Sequence, residues 1–238
     1  MSGDTCDDIM AATYRALCEH GHAAVTTQDI ADEAGVSTAA LHYHYDGKRD
    51  LLVSFLDWLL DGFEARLDDA VAAADPEDAP ERVVALLDEV LASPDAERRE
   101  FRTAIVEVRA QAPYRPAYRE RLTAFDDAVR ERVRDAVADG VERGCFEAVD
   151  PDDVAAFLVT YATGAQGRDV AVGASLAEAR RRLHDHVRER LLAPGYDPAG
   201  TALARDGDGA EAGRDADEES ETGTAPADAT EGTEVSVE

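Results

Sequence analysis

The chain has 238 residues, with 52 Asp and Glu against 24 Lys and Arg and a formal net charge of −28. Hydrophobic residues make up 45%, enough for a core in one or two domains, while no apolar run is long enough to mark a transmembrane helix. The acidic start, Met1 to Asp8, lacks the basic and apolar regions of a secretory leader, so a cytoplasmic location with no membrane partner is expected.

Ala, Leu, Arg and Glu recur at helical spacing and no period-two pattern stands out, which predicts an all-α fold. A first helix from about Asp7 to His20 buries Ile9, Ala12, Thr13, Ala16 and Leu17, and Gly21 ends it. Cys6 and Cys18 fall on this helix roughly 18 Å apart, too far for a disulfide. With Cys145 they form no CxxC, so they read as structural or incidental thiols.

Thr26 opens a second helix, and Asp29 three residues on makes an acidic capping box. Ile30, Ala31 and Ala34 face inward, and the small alanines let another helix cross closely. Gly35 supplies the left-handed turn, Val36 plugs the gap between helices, and Ser37 caps a third helix, Thr38 to Tyr45. At 100° per residue Leu41 and Tyr45 turn to the core. Ala39, His42 and Tyr43 turn outward, with Thr38 at the edge.

That outward face carries no acid in a strongly acidic chain, as a surface approaching phosphates requires, and a helix of this size fits the major groove. Thr38 can donate to a phosphate or base, and Ala39 can meet a thymine methyl. Tyr43 can reach a base edge or phosphate, and His42 and His44 can donate to phosphate oxygens. Lys48 and the free amides of the next helix point at the backbone. Thr26, Thr27 and Ser37 complete the DNA-facing set. His42 and His44 lie on different faces with no further ligand nearby, so no metal and no cofactor is expected.

Longer amphipathic helices are predicted near 48–73, 81–92, 95–111, 115–143, 151–169 and 175–192, with Pro76, Pro80, Pro94, Pro113, Pro116 and Pro151 at their ends. Gly140 and Gly144 suit the end of the fourth of these, and Gly164 and Gly167 weaken or bend the fifth. Val154, Phe157, Leu158 and Tyr161 make one apolar stripe; Leu176, Leu183, Val187 and Leu191 make another. Two such helices from each of two chains would build a four-helix bundle, which predicts a homodimer, with packing inside one chain as the competing explanation. Phe55, Trp58, Phe101, Ile105, Tyr118, Phe125 and Tyr161 are the candidates for lining a ligand pocket, followed by Phe63, Tyr114 and Phe157. Glu107, Arg109 and Gln111 are either its polar handles or solvent-exposed. From Pro194 to Glu238 large apolar residues almost vanish, and a disordered acidic tail is expected.

The run TTQDIADEAGVSTAALHYHYDGKRDLL, Thr26 to Leu52, closely resembles the TetR family of transcriptional regulators. The resemblance lies in Ala31 and Ala34, the Gly35-Val36-Ser37 turn, the His42-Tyr43-His44-Tyr45 helix and Lys48. His42 departs from it, since the family usually has a phosphate-touching tyrosine there. The stretch from Phe101 to Gly173 resembles the BetI-type C-terminal region, through FRTAIVEVRAQAPYRPAYRERL, then Gly144-Cys145-Phe146 and Asp150-Pro151.

The resemblance implies an N-terminal three-helix helix-turn-helix domain over residues 1–47, a C-terminal helical ligand-binding and dimerisation bundle over 48–193, and the tail over 194–238. It implies a repressor acting as a homodimer on an inverted-repeat operator in double-stranded DNA and answering to a small-molecule effector. An enzyme is not expected, for want of a nucleophile elbow, a phosphate loop, HExxH or a Cys/His metal set. A helical interaction module that has lost DNA binding is the alternative. Lys48 is the only lysine, and this, with the excess of carboxylates, resembles proteins of haloarchaeal cytosols rich in KCl, where salt screens mutual repulsion. Residues 1–52 hold nine acids against Arg15, Lys48 and Arg49. A shallow salt dependence of DNA binding is therefore expected.

Overall fold

The computed structural model describes residues 3–92, 96–197 and 203. Among them all regular structure is helical, with one isolated antiparallel bridge between Phe146 and Leu192. No helix among them is long and apolar enough to cross a membrane.

Helix α1 runs from Gly3 to Ala24 but breaks at Gly21, whose φ of 71° is the left-handed conformation that glycine tolerates. The break lets one further turn form beyond the predicted end. Helix α2, Thr27–Glu33, is capped by Thr26: the Thr26 hydroxyl accepts from the Asp29 amide, and the Asp29 carboxylate accepts from the Thr26 amide at 2.8 Å. Gly35 (φ 66°) turns the chain, the Val36 amide donates to Ala31 O at 3.0 Å, and Ser37 caps α3, Thr38–His44.

Helix α4 spans Lys48–Ala73, α5 Ala79–Val90, α6 Ala96–Gln111, α7 Pro116–Glu142, α8 Pro151–Val172 and α9 Leu176–His186. Helix α5 starts earlier than predicted because Asp78 caps it and Pro80 lies in the first turn, where a missing N–H is harmless. Helix α8 continues through Gly164 and Gly167 to Val172, three residues past its predicted end, where a left-handed Gly173 caps it. The last predicted helix widens into a π turn, Val187–Leu191. There Leu191 O accepts from Glu147 N at 2.8 Å and Cys145 O accepts from Ala193 N at 2.9 Å. The three cysteines form no disulfide.

Two apolar cores result. The first joins Ile9, Leu17, Ile30, Leu41 and Phe55 to Ala104 and Val108 of α6 and Tyr118 of α7. The helix-turn-helix is thus seated on the central helices through shared side chains. The second core joins Leu67 of α4, Val83 and Leu87 of α5, Val133 of α7, Leu158 of α8 and Leu183 of α9. Leu203 is buried in it, and its carbonyl accepts from Arg188 at 3.0 Å. The rest of the expected acidic tail beyond Asp197 lies outside the described residues.

Candidate nucleic-acid interface and effector cavity

Helix α3 presents Ala39, Ala40, His42, Tyr43 and His44 to solvent while Leu41 is fully buried. Tyr43 is 84% exposed, a large apolar area to leave in water without a task. Its ring meets the His44 imidazole edge-on at 4.8 Å between centroids. Thr38 donates its hydroxyl to Gln28 Oε1 at 2.6 Å, and Gln28 donates to Asp32 at 2.7 Å, so α2 and α3 are held in one orientation. Gln28 is a member of this site that the sequence reading missed, because its partner lies ten residues on. Ser37 and Thr26 serve as helix caps, and Thr27 is the first residue of α2.

The cations near this face are few. Arg15 is paired with Glu33. Lys48 donates to the carbonyl of His22 at 2.6 Å, so part of its charge is spent on the end of α1. Burial, opposed by the Glu107 carboxylate, holds the Lys48 ammonium below its usual range. Arg49, beside it at the start of α4, is exposed; it was not among the expected DNA-facing residues, although its position next to Lys48 could have signalled it.

His22 is the centre of a junction between α1, α4 and α6. The Glu107 carboxylate on α6 accepts from the Ala23 amide at 3.2 Å and lies 3.3 Å from where a Cβ on Gly21 would sit. Burial, then the Lys48 charge, push the His22 imidazole below its ordinary range. Glu107 therefore faces the helix-turn-helix unit and not a ligand.

On the side of α6 turned away from Glu107, Phe101 and Ile105, six and two residues before it, face a cavity of about 370 Å³ between α4, α6, α7 and α8. Of the predicted lining residues, Phe101, Ile105 and Phe125 reach it, as do Phe63 and Arg109. Four others do not. Phe55 is buried in the first core with Trp58 stacked on it at 6.0 Å, and Tyr118 is buried near His22. Tyr161 lines an open groove between α8 and α9. Sequence spacing put these aromatics on inward faces, but not on the face that a gap between helices happens to expose. Missed were Arg102, Asp126, Thr163 and Gln166, polar residues that no motif marks.

Arg102 is largely buried and donates to the buried Asp169 carboxylate at 2.7 Å, with Arg99 3.6 Å away. On the outside of α8, Phe157 is 49% exposed, and its ring lies 4.7 Å from that of His186 on α9.

Residues 9–55 match the profile of bacterial regulatory proteins of the tetR family, and residues 79–193 match that of the BetI-type transcriptional repressor C-terminal region. A TetR transcription regulator from Haloarcula marismortui is 40% identical, over 79% of this chain and 98% of that one, with a TM-score of 0.73. A transcriptional regulator from Saccharomonospora viridis, in complex with choline, is 23% identical over 80% of this chain and 99% of that one, with a TM-score of 0.72. The transcriptional repressor KstR2 of Mycolicibacterium smegmatis is 31% identical over 70 residues, 28% of this chain and 34% of the relative. The match thus spans about a third of that relative's length.

Proposed function

We propose, for a chain that belongs to the TetR family of transcriptional regulators, a ligand-responsive repressor acting as a homodimer on an inverted-repeat operator. One observation carries this reading: α6 lines the cavity with Phe101 and Ile105 and meets the end of α1 with Glu107. A ligand that moves α6 must therefore move α1, Lys48 and the seat of α3. Ligand and operator would each favour a different spacing of two recognition helices, a population shift that needs differential affinity for the two forms.

Thr38, Ala39, His42, Tyr43 and His44 are the proposed DNA face, with Lys48 and Arg49 at the backbone. Thr26, Thr27 and Ser37 hold the helix starts that position it. Of the expected apolar stripes, Leu158, Leu176, Leu183, Val187 and Leu191 are buried inside one chain, so the support for α8 and α9 as the dimer face comes from the half-exposed Phe157 and the groove at Tyr161. Two copies would then set two α3 helices into major grooves on one side of the duplex.

Gel shift with the chain's own upstream DNA in molar KCl tests the reading. Tyr43→Ala, on an exposed side chain whose ring touches only the exposed His44 among the ring contacts of the described residues, should abolish the shift and leave thermal unfolding nearly unchanged. A full shift by that variant would refute the assignment of α3. Absence of any shift by the wild type at every salt concentration would favour a helical interaction module that no longer binds DNA.

A further inference from the structure

We propose that the cavity recognises an amphipathic acid, its apolar body among Phe101, Ile105 and Phe125 and its anionic head on Arg109. The proposal rests on the reading of this cavity as the effector site and names the chemistry that site takes.

The argument is an accounting of charge around one space. Three guanidiniums, Arg66, Arg102 and Arg109, line it against a single carboxylate, Asp126. A positive lining is unexpected in a chain of net charge −28. Most of these groups are already engaged. Arg66 donates to Glu89 at 2.8 Å and to Gly62 O at 3.0 Å, and its guanidinium lies over the Phe63 ring. Arg102 holds Asp169 at 2.7 Å. Asp126 accepts from Arg130 at 2.8 Å, and the Gln166 amide donates to Val90 O at 2.7 Å.

Arg109 is different. It is partly buried and makes no hydrogen bond or ion pair among the described residues. Burial depresses its pKa, and the Asp126 charge offsets this only in part. The Arg102 Nε is also buried without a partner. A half-buried cation whose nearby countercharge, Asp126, is already held by Arg130 is incompletely compensated, and a carboxylate in the cavity would complete it through the two-pronged geometry that guanidinium offers. A quaternary ammonium would meet repulsion here, and a neutral alcohol would leave Arg109 uncompensated. Arg66 over the Phe63 ring further removes an aromatic face that a ligand cation would need.

The test uses the full chain in molar KCl, which screens exposed charges far more than buried ones. Octanoate, octanol and octyltrimethylammonium share one tail and differ in head charge, and titration calorimetry reads each. Octanoate should bind on the order of tenfold more tightly than octanol, the cation weakest of all. Arg109→Gln should bring octanoate to the level of octanol, and Arg109→Lys should keep part of the preference, so that a folding defect in one variant does not decide the matter. Octanoate binding no tighter than octanol, or a preference that survives Arg109→Gln, overturns the proposal. Binding that persists when Ile105→Trp fills the cavity lies elsewhere and overturns it too. Octanoate that binds the wild-type chain with the expected preference, but without changing its operator affinity, supports acid recognition while overturning the effector reading on which it rests.

Discussion

Gly140 sits in the last turns of α7, where helical backbone would accept alanine, yet the space around it would not. A Cβ there would overlap Phe146 Cδ2, lie 2.7 Å from its Cε2 and lie 3.1 Å from Ala79 Cβ. The ring has little room to retreat. Phe146 is 3% exposed, and its amide and that of Cys145 both donate to Gly140 O, at 3.1 and 2.8 Å. Gly140→Ala should therefore show the cost of overpacking, about 1–3 kcal/mol. Helix propensity returns roughly 1 kcal/mol of that. The net loss, up to about 2 kcal/mol, corresponds to a Tm lower by up to roughly 8 °C in a chain of this size.

The decisive measurement is the double-mutant cycle with Phe146→Ala. That change alone should destabilise by about 3–5 kcal/mol through the cavity it leaves. In its background the clash is gone, so Gly140→Ala should become neutral or stabilising by up to about 1 kcal/mol, a reversal of sign. Urea unfolding followed by circular dichroism, at one protein concentration and in molar KCl, reads all four corners. Equal effects of Gly140→Ala in the two backgrounds would refute the packing argument.

Three further outcomes are expected. Asp169→Asn should destabilise by about 3 kcal/mol, because it leaves the buried Arg102 without its counter-charge; Arg102→Met with Asp169→Leu should recover most of that in the same unfolding assay, and a single-variant loss below about 1 kcal/mol would contradict the pairing. His22 titrates below its ordinary value of 6.5 in the folded chain, so the unfolded chain takes up its proton first as pH falls. Its contribution to stability is complete above that value and is lost as pH drops through the folded one. His22→Gln should thus lessen the fall in unfolding free energy between about pH 7.5 and 5.5, and an unchanged slope would exclude His22 as a source. In operator binding, Lys48 and Arg49 supply at most two phosphate cations per protomer, so a dimer should show a log–log salt slope no steeper than about −4. A slope near −8, measured by fluorescence anisotropy across KCl concentrations, would mean that the acidic domain neutralises phosphates with groups other than these.

The helix-turn-helix was legible in the sequence because its signals are local. Thr26 with Asp29, Gly35 and Ser37 are each satisfied within a few residues, so capping and turn chemistry read directly from spacing. The same holds for the all-α class, for the outward face of α3 and for the long helices, whose ends are marked by proline or by caps such as Asp150 and Ser175. Tertiary structure decided what spacing leaves open. Lys48 meets the His22 carbonyl across 26 residues, and Arg102 meets Asp169 across 67. Phe55 and Phe101 look alike as inward aromatics, yet one is sealed in a core and the other borders a cavity. Periodicity reports which face of a helix is buried; what that face is buried against depends on how helices distant in sequence cross. For that reason α3 and its exposed face were readable from one segment, while the cavity, its Arg109 without a hydrogen bond among the described residues, and the junction through Glu107 became visible only when α1, α4, α6, α7 and α8 were brought together.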